Sequence, residues 1–388
     1  MTPAARVAAA IEVLDGWLAG GAAEQLLTSW ARSHRFAGST DRAAIRDLVY
    51  DAIRCRRSYA ALGGGESGRA LMIGAERAAG RDPAEIFTGE GYAPAAFGPG
   101  DAPPRPDLSE EERLDCPDWL APQLRASLGA DFAPVMEALR HRAPVFLRVN
   151  LARIDRDEAI GTLAQEGITA RPHPLSPSAL EVTEGARRIQ QGAAYASGLV
   201  ELQDAASQAV VDALAISPGD RVLDYCAGGG GKSLALAAQG AEVSAHDIDP
   251  RRMSDLPGRA ARAGVTVGLL PTDRLPGGGS FDLIFADAPC SGSGAWRRSP
   301  QGKWDLTARR LDELCAIQAG ILDEIVRLSG PDTRIGYATC SVIEAENGAQ
   351  VAAFLARHPG WQCSLSRSFT PRDGGDGFFI ALLTQRHE

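Results

Sequence analysis

Two cysteines each follow an apolar run: Cys290 in FDLIFADAPCSG and Cys340 in TRIGYATCSV. A single thiol at the end of a strand-like run is usually a small core residue. A pair is more suggestive, because a thiolate is a nucleophile and a second thiol can move a proton. A free thiol is only a few per cent ionised near neutral pH, so a reactive one needs a site that stabilises the anion. Asp287, at the same strand end as Cys290, adds an acid. One chemistry uses such a set. Carbon 5 of a cytosine ring is a poor nucleophile. A thiolate that adds to carbon 6 makes the ring an enamine, and carbon 5 can then attack a methyl sulfonium. An acid holds ring nitrogen 3 protonated, and a second thiol assists the exit. The residues alone leave open which thiol attacks.

A glycine-rich stretch, VLDYCAGGGGKSLALA, supplies the second feature. A phosphate-binding loop wants Gly-x-x-x-x-Gly-Lys-Ser. Gly231, Lys232 and Ser233 fit it, but Cys226 stands where the first glycine must be. A dinucleotide loop wants Gly-x-Gly-x-x-Gly, and Ser233 replaces its third glycine. A nucleoside-cofactor loop needs only close backbone approach at a helix start, which glycines permit. Asp247, about 20 residues beyond the loop, ends the next apolar run, where a carboxylate commonly accepts ribose hydroxyls. The plainer role for Asp247 or Asp249 is to cap the following DPRRMSDL helix. Asp273, after another short apolar run, is a candidate beside the adenine.

These residues need a scaffold. From Asp204 onward strand-like and helix-like stretches alternate: RVLDYC, AEVSAHDID, FDLIFADAP, TRIGYATCS and a closing GFFIALLTQ. Alternation predicts a doubly wound, mostly parallel α/β sheet with ligands beyond its strand C-termini. Ahead of it, VFLRVN, RDEAIGTLAQEG and ALEVT read as a small α+β module. Residues 88–107 are rich in Gly, Pro and Ala and read as a loop. The first 60 residues are helical by period, with Val7, Ile11, Leu14, Leu18, Ile45, Val49 and Ile53 on buried faces. Thr40 or Asp41 is expected to cap the second of these helices. Arg54, Arg56 and Arg57 at its end either offset the helix dipole or contact RNA.

Apolar residues make up 45% of the 388, enough for real cores, and the net charge is −9. That balance argues against a surface bound all over by nucleic acid but leaves room for a local basic patch. Seven scattered cysteines without C-x-x-C spacing make neither a disulfide framework nor a zinc site. No apolar stretch has membrane-span length. The reading is a cytoplasmic protein with no metal and no membrane partner, expected to be monomeric. Its only lysines, Lys232 and Lys303, both fall in motifs.

From residue 145 to the end the chain resembles the Sun (Fmu) family of RNA cytosine-5 methyltransferases. The matching stretches are LRVN, ELQDAASQ, VLDYCAGGGGKS, AHDIDPRRM, FADAPCSGSGAWRRSPQGKW, YATCSVIEAEN and DGFFIALL, in family order. The resemblance implies a Rossmann-like methyltransferase domain at 201–388, a small α+β RNA-binding module at 144–200, and an all-α NusB-like RNA-binding domain at 1–143. It implies S-adenosyl-L-methionine held by Cys226, Ala227, Gly228, Gly229, Gly230, Gly231, Lys232, Asp247, Arg252, Asp273 and Asp287. It implies that Cys340 forms the adduct and Cys290 aids release, with Asp287 and Lys232 beside the base. The family loop usually reads Ala-Pro-Gly-Gly-Lys; here Gly228 and Gly229 replace Ala-Pro. Trp296, Arg297, Arg298, Lys303 and Trp304 are candidates for RNA contact, with core packing the equal alternative for Trp304. The implied substrate is a cytosine of small-subunit ribosomal RNA. Alternatives are a transfer-RNA cytosine, a non-catalytic RNA-binding assembly factor, and, least favoured, an NTPase.

Overall fold

The computed structural model describes residues 1–101, 103–105 and 107–386. They form two compact units. One holds Met1–Arg125, Ala130–Arg142 and Trp296–Asp305; the other holds Ala126–Gly129, Ala143–Ala295 and Leu306–Glu388. No helix among the described residues is long and apolar enough to cross a membrane.

The first unit is helical, with Pro3–Leu18, Ala23–Ser33, Ser39–Arg54, Arg56–Gly63 and Gly68–Ala78 as its longer early elements. Val7, Leu14, Ile45, Val49 and Ile53 are buried together, as the helical period predicts. The expected cap is not made. Gly38 precedes the helix and Asp41 lies in its first turn, paired with the Met1 amino group and Arg6. Of the three arginines, Arg54 stands in the last turn of this helix. Arg54 is buried and its Nε donates to the Arg297 carbonyl at 2.8 Å. Arg56 and Arg57 open the next helix, where Arg57 pairs with Asp118 at 2.6 Å and Arg56 lies over the Trp17 and Trp304 rings.

Trp296–Asp305 is built into this helical unit. Lys303 is 1% exposed, and its Nζ donates to the Arg54 carbonyl at 2.9 Å. The Trp304 indole donates to the Ile53 carbonyl at 2.7 Å. These carbonyls end the helix Ser39–Arg54 and lack helical donors, so the lysine and the indole satisfy them. The stretch expected to meet RNA therefore packs instead at Lys303 and Trp304; Arg298 alone of its basic residues is exposed. Trp304→Ala should destabilise the helical unit by roughly 3 kcal/mol through lost packing and an unpaired carbonyl. Thermal melting followed by circular dichroism measures it; an unchanged transition would make the indole a surface group.

The second unit contains two sheets. The smaller comprises β1 (Val145–Val149), β2 (Thr169–Pro172), β3 (Ala179–Glu184) and β4 (Val200–Leu202), all antiparallel in the order β2-β3-β1-β4. The helix Arg156–Gln165 links β1 to β2. The larger comprises β5 (Arg221–Asp224), β6 (Glu242–Ala245), β7 (Val267–Leu269), β8 (Leu283–Asp287), β9 (Arg334–Thr339), β10 (Trp361–Phe369) and β11 (Phe378–Gln385). Its order is β10-β11-β9-β8-β5-β6-β7. The strands from β7 to β9 are parallel, and β11 lies antiparallel between β9 and β10. Alternate residues of one strand enter cores on opposite faces: Leu283 and Phe285 on one, Ile284 and Ala286 on the other. The winding runs from β5 outward to β7, then returns to β8 on the other side of β5. That reversal opens a crevice beyond the C-termini of β5 and β8.

Candidate active site

The glycine loop leaves β5 at Asp224 and enters the helix Gly231–Ala238. Gly230 sits at φ +76, and a Cβ there would collide with the Leu256 side chain; both the backbone and the space require glycine. Gly228, at φ +52, donates its N–H to Asp247 Oδ2 at 2.9 Å. The loop is also braced from outside. Arg148 of β1 donates to the Gly231 carbonyl at 2.7 Å and to Gln203, and Arg259 donates to the Gly229 carbonyl. Glu201 of β4 in turn pairs with Arg259 and Arg262. Sequence reading missed these braces, because their partners are backbone carbonyls that no motif marks.

Asp247 is buried just past β6. Its Oδ1 accepts from the Asp249 N–H at 3.0 Å, and its Oδ2 accepts from Gly228 and from Arg252 at 3.0 Å. It therefore does not cap the following turn; Asp249 does, accepting from the Arg251 N–H. That turn is the short 3-10 segment Pro250–Met253, and the helix proper starts only at Leu256. One Oδ1 lone pair of Asp247 is left for a hydroxyl, and the long, half-exposed Arg252 side chain can yield another. The next residue, Ile248, is 81% exposed. An acid with a spare acceptor, an exposed apolar side chain beside it and a loop of bare backbone together fit an adenine nucleoside. Asp273 is exposed in the loop after β7. That loop is tied to β6 through His246, whose Nδ1 donates to the Tyr225 carbonyl, leaving Nε2 to accept from Thr272 Oγ at 3.0 Å. Burial pushes the Cys226 thiol well above its ordinary range, so it is a neutral wall.

Asp224 lies under the loop. Its Oδ2 accepts from Ser233 Oγ at 2.6 Å, while Oδ1 is buried without a protein partner. Burial, opposed by the Ser233 hydrogen bond, raises its pKa to about 7. The folded state thus holds a proton between about pH 4 and 7 that the unfolded chain releases, and stability falls as pH rises through that window. Asp224→Asn removes this penalty. It should melt above the wild type at pH 8, by an amount on the order of 4 kcal/mol, with the gap closing by pH 4. A gap independent of pH would mean that Asp224 is ionised throughout.

The other half of the site stands on β8 and β9. Asp287 ends β8, and the Lys232 amine donates to its Oδ2 at 2.6 Å. Lys232 also lies 5.1 Å above the Phe378 ring centroid. Burial works to discharge the amine, but the charge and hydrogen bond of Asp287, followed by Cys340 and Asp224, outweigh it and hold its pKa above the ordinary value. The thiols come together: Cys290 Sγ and Cys340 Sγ are 3.3 Å apart, from residues 50 positions apart in the chain. The contact with Cys340, then burial, then the charges of Cys340 and Glu346 push the Cys290 thiol well up. The structure thus gathers Lys232, Asp287, Cys290 and Cys340 beyond the ends of β8 and β9, and Asp247, Arg252 and the glycines beyond those of β5 and β6, with Asp273 on the loop after β7. This side of the sheet can hold a nucleoside beside a cation, an acid and two thiols.

Comparison with known proteins gives this arrangement its relatives. Residues 211–384 match the family described as 16S rRNA methyltransferase RsmB/F, and residues 116–188 match the ferredoxin-like domain of RsmF/B-like methyltransferases. Ribosomal RNA small subunit methyltransferase B of Salmonella arizonae is 36% identical over 72% of this chain and 68% of its own length. The Klebsiella pneumoniae protein of the same name is 37% identical over 71% and 67%. Among solved structures, PH0851 shares the fold over 99% of both chains at TM-score 0.79 and 22% identity. NSun6 from Pyrococcus horikoshii, solved with SFG, shares it over 70% of this chain and 99% of its own, at TM-score 0.61 and 18% identity. Identity above a third across two thirds of the named relatives goes beyond a shared fold: the chain belongs to the RsmB/F family of 16S rRNA methyltransferases.

Proposed function

We propose that the protein is an S-adenosyl-L-methionine-dependent RNA cytosine-5 methyltransferase that acts on small-subunit ribosomal RNA through a covalent cysteine adduct. The observation that carries the reading is the pair of thiols 3.3 Å apart beside the Lys232–Asp287 pair. A methyltransferase acting on an already nucleophilic atom has no use for two thiols at its centre.

When bound, S-adenosyl-L-methionine supplies an electrophilic methyl group. Asp247 would accept its ribose hydroxyls, Ile248 would pack against its adenine, and Gly228 to Gly231 would line it with backbone. On the other side a cytosine lies between the thiols and Asp287. Cys340 is the nucleophile: its sulfur bonds carbon 6 as ring nitrogen 3 takes up the proton that the thiol gives up, held there by a hydrogen bond to Asp287, and carbon 5 becomes able to take the methyl group. Lys232 favours the thiolate by its charge. The proton on carbon 5 then leaves and the carbon–sulfur bond breaks, with Cys290 assisting the exit. Outside this centre, the helical unit and the smaller sheet serve to hold RNA.

The test is transfer of labelled methyl from S-adenosyl-L-methionine to small-subunit ribosomal RNA, with bisulfite mapping of the product. A new bisulfite-resistant cytosine in that RNA supports the reading. Label at another base, or on transfer RNA alone, overturns the corresponding part of it.

A further inference from the structure

Each thiol is followed in sequence by a serine, Ser291 after Cys290 and Ser341 after Cys340. Both serine hydroxyls donate to the same atom, Oε2 of Glu346, each at 2.5 Å. The other carboxylate oxygen, Oε1, accepts from the Ser291 N–H at 2.8 Å and from the Gln318 amide at 3.1 Å. Glu346 is fully buried, and four donors converge on it. Gln318, from the helix Ala308–Leu328, also donates to the carbonyl of Pro289, on the other side of Cys290.

The proton count of this cluster has one solution. Each hydroxyl has a single hydrogen, and both are used on Oε2, so the 3.4 Å approach of Ser291 Oγ to Ser341 Oγ is a contact between acceptors. Ser341 Oγ then accepts from Ser293 Oγ at 2.9 Å and from the Ile343 N–H. Ser293 Oγ accepts from the Val342 N–H at 3.0 Å, and the Gly294 N–H donates to the Cys340 carbonyl. The loop after β8 and the loop after β9 are thus joined residue by residue, with one carboxylate at the joint.

We propose that Glu346 is the positioning residue of the two-thiol site: through Ser291 and Ser341 it fixes the separation of Cys290 and Cys340. It touches neither cofactor nor base. Its catalytic consequence rests on the cytosine-5 reading above; its geometric consequence does not. A base held between two thiols needs their spacing fixed to a fraction of an ångström, and neither loop alone supplies that rigidity. Glutamine at this position keeps part of the joint: its carbonyl serves the two obligate N–H donors and its amide donates to Ser291 Oγ, but the Ser341 hydroxyl, already accepting from Ser293 and the Ile343 N–H, loses its acceptor. Alanine leaves a buried N–H and an amide without an acceptor.

The experiment compares wild type, Glu346→Gln and Glu346→Ala. Diamide converts two thiols to a disulfide, its N=N bond taking both hydrogens to become a hydrazine, so the rate of Cys290–Cys340 bond formation reports their spacing. Mass spectrometry after alkylation reads it. Glu346→Ala should form the bond at least about tenfold more slowly and lose about 100-fold in kcat, with S-adenosyl-L-methionine affinity unchanged. Glu346→Gln, which keeps both N–H contacts and loses one hydroxyl arm, should lose much less of both rates than Glu346→Ala. If Glu346→Ala does not fold, Ser291→Ala and Ser341→Ala each remove one arm and should give smaller losses of the same two kinds. Wild-type disulfide rates in these variants would overturn the proposal. So would a fall in cofactor affinity parallel to that in kcat, which would mark Glu346 as a general stability residue. A disulfide that forms readily in the wild type and slowly in Glu346→Ala, in a protein that transfers no methyl group to RNA, supports the positioning role and overturns the cytosine-5 reading.

Discussion

Cys340→Ala should transfer no methyl group and leave no covalent protein–RNA species. Carbon 5 of cytosine does not attack a methyl group without prior addition at carbon 6, so removing the attacking sulfur removes the reaction itself. Loss of the nucleophile from a catalytic group of this kind costs a factor on the order of 10⁴ or more. The assignment of attack to Cys340 rests on the resemblance of YATCS and DAPCS to the family's motifs, and the contact with Cys340 and burial push the Cys290 thiol well up. The check is a single-turnover assay with labelled cofactor together with a denaturing gel of labelled RNA. A retarded band formed by Cys340→Ala would reverse the assignment of the two thiols.

Cys290→Ala should fail in the opposite way. Addition and methylation proceed, because Cys340, Asp287 and Lys232 are untouched. Exit does not, because proton removal from carbon 5 and cleavage of the carbon–sulfur bond are separate from the attack. The expected product is protein joined to methylated RNA, with turnover stopped after one cycle. The same gel shows it as a retarded band that accumulates to the enzyme concentration. Multiple turnovers by this variant would remove Cys290 from the exit step.

The parallel core of the larger sheet was legible for a physical reason. Its central strands β8 and β9 are buried on both faces, so each reads as a short apolar run, and the residues that follow the strands of such a sheet lie where ligands bind. Asp247, Asp287, Cys290 and Cys340 were all found by that rule. What escaped was of other kinds. β2 and β10 are mostly exposed edge strands, and β2 even contains Pro172, which an edge position tolerates. Glu346 lay inside a recognised motif, but its meaning depends on serines near both thiols, one of them 55 residues away. Lys303 misled, and Arg54 and Trp304 were left between two roles, because a basic, aromatic stretch has the same composition whether it meets phosphate or fills the end of a helix. Only burial distinguishes the two.

The threading of Trp296–Asp305 into the helical unit has a consequence for synthesis. A ribosome finishes Met1–Arg142 long before it reaches Lys303 and Trp304. At about 5–20 residues per second the interval is on the order of ten seconds. Through that interval the nascent helices lack the two donors that close the end of Ser39–Arg54, and the Trp17 face stays uncovered. The helices of Met1–Arg142, although made well before residue 296, thus complete their packing only after Trp296–Asp305 has been made. A nascent chain stalled before residue 296 presents an unfinished helical surface to chaperones and proteases.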